Sequence, residues 1–160
     1  MTNPALNFLA LALYVAVGAL LAQRLVRSQG DATRSVRLGV LALGLGAAVL
    51  HATLLYPALR FEGGLNLALT TMFSLAAWVV VILYLCTSTL RPVDTLGILI
   101  MPIAGLTLLV EWLWPGQAPM PLTSGFQAAH IVVSILAYGL LCLAAVQSLL
   151  LLYQERHLHA

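Results

Sequence analysis

The chain has 160 residues, of which 62% are hydrophobic and 8% charged, with a mean hydropathy of +1.03. Soluble domains carry roughly one-quarter charged residues, so this composition excludes a soluble globular protein and points to an integral membrane protein in a lipid bilayer. Seven arginines, no lysine and five acids leave a net charge of +2, too small to suggest a nucleic-acid partner.

In chain order, the apolar run from Pro4 to about Leu25 is long enough to cross a hydrocarbon core of about 30 Å. No basic residue precedes it and no cleavage-like site follows a short apolar core, so it reads as a retained helix rather than a removed signal peptide. Arg24, Arg27, Asp31, Arg34 and Arg37 form a polar hairpin with Gly30 at its turn. Val36 to Tyr56 is the second span; its Gly39, Gly44, Gly46, Ala47 and Ala48 allow close approach of a neighbouring helix, and His51 lies near its far end.

Pro57 to Gly64 is a short connection, and Asn66 to about Ser88 is the third span, with Trp78 near its middle as a packing residue. Val93 to Trp114 is the fourth, where Pro102 should kink the helix. Glu111 beside Trp112 and Trp114 marks the approach to an interface and is expected among the headgroups. Pro115 to Ser124, with three prolines, is a loop. Phe126 to Tyr153 is the fifth span, followed by a polar tail with His157 and His159. The expected architecture is an all-α transmembrane bundle of five spans. Cys86 and Cys142 lie far apart in apolar runs and are expected as buried small hydrophobes rather than a disulfide.

Arg24, Arg27, Arg34, Arg37, Arg91 and Arg156 fall on one side of these spans and Arg60 alone on the other. The arginine-rich side is expected to be cytoplasmic, with the N-terminus outside and the C-terminus inside.

At helical spacing of four, His130, Ser134 and Tyr138 share one face of the fifth span. Polar groups at membrane depth need partners. They either hydrogen-bond to neighbouring helices and hold the bundle together, or they place His130 to ligate something. His51 and His130 are each expected about 6 to 8 Å below the outer surface, and two neutral imidazoles at one depth on separate helices can bind haem iron axially. No nucleophile triad, phosphate loop or paired carboxylates occur, so hydrolase and nucleotide chemistry have no support.

The pattern His130, Ile131, Ser134, Tyr138, Leu141, with alanines and Gln147 following, resembles a helix of the cytochrome c assembly family (CcsA-type), which opens with a functionally important histidine. The third-span start, Gly64, Leu65, Asn66, Leu67, Ala68 and Leu69 to Ser74 and Leu75, is similar to that family, as is His51 followed by Ala52. The tryptophan-rich WWD signature of haem-attaching members is absent, as it is in the YpjD-like branch, which is the nearer match. Family members continue with further helices, so the chain corresponds to their N-terminal five spans.

The resemblance implies a multi-pass protein of the bacterial inner membrane that handles haem and works with cytochrome c maturation proteins or other membrane proteins. It does not imply haem-lyase activity. On it, His130 matches the outward-facing histidine that holds haem, His51 is the second ligand, and Ser134 and Tyr138 orient His130 or bond a propionate. The rival expectation is a non-catalytic membrane scaffold or accessory subunit whose histidines bridge helices. A transporter half-bundle would instead show discontinuous helices and buried charges.

Overall fold

A computed structural model describes residues 3–26, 34–61, 64–90, 93–121 and 124–158. It contains five long helices: α1 (Pro4–Val26), α2 (Arg34–Leu59), α3 (Leu69–Leu90), α4 (Asp94–Leu113) and α5 (Gly125–Leu158). All five are long and apolar enough to cross a membrane, and the chain is a multi-pass membrane protein of all-α class. The arginines and Asp31 of the turn between α1 and α2, apart from Arg24 and Arg37, lie outside the described residues or side chains, as do Arg91, Arg156, His157 and His159.

Four helices close on one another in a ring, α1 on α2, α2 on α3, α3 on α4 and α4 back on α1, and α5 packs outside this ring, chiefly on α3. Inside lies a core of Tyr14, Val17, Leu21, Ala47, Val81, Tyr84, Ile100, Met101 and Ala104. With no difference in apolarity between lipid tails and leucine side chains, such helices associate through close packing and hydrogen bonds. The closest packing is made by α4. A Cβ at Gly105 would stand 3.0 Å from Leu11 Cδ1 and 3.3 Å from Tyr14 Cβ, and one at Gly97 only 2.5 Å from Leu21 Cδ1. The small residues expected to serve this purpose in α2 do so only in part: Gly44 faces Leu85 and Met101, whereas Gly39 and Gly46 face open space.

The helix ends differ from the expected spans in two places. α2 continues through Pro57 to Leu59, because proline supplies a helical φ even though its missing N–H removes one bond of the ladder. α3 starts at Leu69 rather than Asn66. The residues freed there pair into a small antiparallel sheet of β1 (Arg60–Phe61), β2 (Gly64–Asn66) and β3 (Pro119–Pro121), with Leu65 opposite Arg60 on one side and Met120 on the other. The described part of the expected loop, Pro115–Pro121 and Ser124, is not helical, as expected, but Pro119–Pro121 forms a sheet edge. α4 runs unbroken through Pro102, whose ring packs against Gly18 of α1.

The sheet is fastened to the bundle by Asn66. Its amide donates to the carbonyls of Ala58 (3.1 Å) and Gly116 (3.0 Å), and its Oδ1 accepts from the N–H groups of Ala68 (3.2 Å) and Ala118 (2.8 Å). One side chain therefore ties the end of α2, the start of α3 and the loop after α4. At the opposite end of the bundle Arg24 pairs with Asp94 at 3.1 Å and Arg37 donates to the Ser88 carbonyl.

Candidate functional site

Polar side chains inside an apolar bundle must find one another. Here they form a buried string across the ring of four helices. Tyr14 of α1 and His51 of α2 meet at 3.0 Å between the phenol oxygen and Nδ1, with their rings edge to face. His51 Nε2 lies 2.9 Å from Ser74 Oγ of α3. Tyr14, His51 and Ser74 are completely buried. Glu111 of α4, also buried, lies beside the hydroxyls of Ser74 and Thr71.

One polarity satisfies both His51 nitrogens and gives the Tyr14 O–H an acceptor. With the proton of His51 on Nε2, Tyr14 O–H donates to Nδ1 and Nε2–H donates to Ser74 Oγ. Helix positions give its path. Glu111 lies about 3 Å from the end of α4, Ser74 about 7 Å into α3, His51 about 12 Å from the end of α2 and Tyr14 about 15 Å into α1, at about 1.5 Å per residue. The string descends from the sheet end toward mid-membrane.

Above Glu111 is a cavity of about 580 Å³ between the helix ends and the sheet, lined among others by Asn7, Arg60, Phe61, Glu111 and Trp112. Glu111 is 6% exposed, which overturns the expectation of a carboxylate solvated among the headgroups. Trp112, half-buried, meets Phe8 of α1 edge to face, centroids 5.2 Å apart, while Glu111, one residue earlier on α4, turns to the inside of the bundle. Glu111 Oε1 is buried with no hydrogen-bond partner among the described residues. Arg60 stands at the rim, its guanidinium donating to Tyr56 and lying 5.3 Å above that ring.

The expected site residues are divided by this arrangement. His51 is closed in among three helices with both ring nitrogens hydrogen-bonded, and it lies deeper along its helix than expected because α2 runs past Tyr56. His130, about 7 Å into α5, is exposed, and it makes no hydrogen bond among the described residues. Ser134 is half-buried and Tyr138 is 65% exposed. An axial ligand must turn a free nitrogen lone pair to the iron. His51 has none to turn, so the expected His51–His130 axial pair does not fit: α5 sits on the outer flank of α3, while His51 faces the inside of the ring.

Trp78 is a packing residue, as expected, and donates to the Ala48 carbonyl at 2.8 Å. Cys86 and Cys142 form no disulfide, but both are exposed rather than buried. They point outward from helices whose inner faces are filled by larger side chains. Tyr14 and Thr71 carry no signal in the sequence, and Ser74 entered only as part of the third-span resemblance. Tyr14 lies on α1 and Thr71 and Ser74 on α3, so no spacing within one helix joins them to His51, and only assembly of the ring groups them.

Comparison with protein-family models, with curated proteins and with solved structures finds no match. The functional reading therefore rests on the residues themselves.

Proposed function

We propose that this chain is a haem-handling membrane protein of the cytochrome c assembly type, nearest its YpjD-like branch, in the bacterial inner membrane, with His130 as its single candidate iron ligand. The observation that carries the reading is the contrast between the two histidines: His130 offers an exposed ring with no partner among the described residues, while His51 is fully occupied. Ser134 and Tyr138 continue the same flank of α5. A haem held there would lie along the outside of the ring, with one imidazole on the iron. Its other face would be left to a partner protein or to an incoming apocytochrome.

The experiment is the visible spectrum of the detergent-purified protein expressed with haem in supply. Bound haem is expected to be lost from His130→Ala and kept by His51→Phe. Loss in both, or in neither, would sink the assignment of His130.

A second reading is favoured by the string itself. His51 joins α1 to α3 from α2, which is what a scaffold with helix-bridging histidines requires. A colourless, stable wild-type protein that is weakened only by substitutions at His51 would favour that reading.

A further inference from the structure

The cavity at the sheet end brings together two opposite charges that do not neutralise each other. Among the described residues the only salt bridge joins Arg24 to Asp94 at the other end of the bundle. Glu111 and Arg60 both line the cavity, and neither is within ion-pair distance of the other. Glu111 lies at the floor, and its Oε1, itself fully buried, is an acceptor without a donor among the described residues. Leaving such a buried oxygen unpartnered costs about 1–3 kcal/mol, and the group best able to supply the bond is a charged N–H donor. Asn7, whose amide donates one hydrogen to the Asn3 carbonyl, adds a polar side chain to the same lining.

The rest of the lining narrows the ligand. Phe61 and Trp112 offer aromatic surfaces that suit an organic cation better than a hydrated metal ion. At the rim, the Arg60 guanidinium keeps free N–H donors beyond the one used on Tyr56, in the planar fork that matches a carboxylate or phosphate. The volume of about 580 Å³ is within the range of about 300–1,000 Å³ typical of small-molecule sites.

We propose that this cavity is a binding site for a small zwitterion, with the ligand's primary ammonium on Glu111 and its carboxylate or phosphate on Arg60. The site lies at the helix ends, at headgroup level, so the zwitterion is either a free solute or the headgroup of an aminophospholipid. The proposal is independent of whether His130 holds haem.

The test is equilibrium binding of radiolabelled phosphoethanolamine and β-alanine to delipidated protein in detergent. It is paired with mass-spectrometric measurement of phosphatidylethanolamine retained through purification. Ethanolamine and inorganic phosphate serve as the single-charge controls. Saturable binding of either zwitterion, weakened by about tenfold or more in Glu111→Gln and in Arg60→Gln, supports a free solute. Retention of phosphatidylethanolamine by the wild type and its loss from both variants, with no binding of the soluble probes, supports the lipid. Arg60 is exposed, so at least the Arg60→Gln variant remains folded. Neither ligand bound by the wild type, or binding unchanged in Arg60→Gln, overturns the proposal.

Discussion

At the scale of single residues, the decisive fact is which polar atoms are already spoken for. An imidazole has two nitrogens, and in His51 both are used, one on Tyr14 and one on Ser74. Replacing it by phenylalanine keeps the ring volume but leaves the Tyr14 phenol and the Ser74 hydroxyl buried without partners. Buried unsatisfied groups each cost about 1–3 kcal/mol, so His51→Phe should lower stability by about 2–6 kcal/mol, read as the midpoint of unfolding in mixed detergent micelles. An unchanged midpoint would mean that the string contributes no net stability. Ser74→Ala, which removes one link and leaves a smaller group, should cost less than His51→Phe.

Asn66 and Glu111 show the same principle with opposite outcomes. Asn66 uses both amide hydrogens and both lone pairs of its oxygen on backbone groups around the sheet. Glu111 lines a cavity and retains a buried oxygen with no partner among the described residues. The first residue fastens structure together, whereas the second is left with capacity to bind.

At the scale of elements, the fit of α1 against α4 depends on the absence of side-chain atoms. Gly105 faces Leu11 and the Cβ of Tyr14, and the latter cannot swing away without moving the α1 backbone. Gly105→Val should therefore part the two helices and, by displacing Tyr14, loosen the string to His51. Overpacking of this kind costs about 1–3 kcal/mol. The check is a disulfide between cysteines introduced at facing positions of α1 and α4, which should form more slowly in the Val variant. An equal rate would show that α1 accommodates the added methyls in place. Pro57 and Pro102 teach a related lesson. A proline in a membrane helix does not by itself end it, since neighbouring helices can hold the element together across the lost hydrogen bond.

At the scale of the whole molecule, four helices form the closed ring and the fifth is an outer element. α5 exposes Val132, Val133, Leu136, Leu140 and Leu141 on its outward surface, which suits contact with lipid and keeps His130 outside the ring. Sidedness is expected from the arginines, with the sheet end facing away from the cytoplasm. Gln117→Cys in a background lacking Cys86 and Cys142 should react with a membrane-impermeant maleimide in intact cells. Labelling only after the membrane is permeabilised would reverse the orientation and place the cavity on the cytoplasmic side.

Composition and apolar run length determined the class, the number of long helices and most of their limits, because a helical crossing of the bilayer demands about 20 apolar residues and a helix satisfies its own backbone there. The sequence also showed that His51, His130, Ser134 and Tyr138 are exceptional polar residues at membrane depth. Only tertiary structure decided their partners: helix periodicity fixes which residues share a face of one helix, but not which helix that face meets. Placing α5 outside the ring separated His130 from His51. Closing the other four helices gave His51 its phenol and its hydroxyl, and the sheet raised over Glu111 turned an expected interfacial carboxylate into the floor of a cavity.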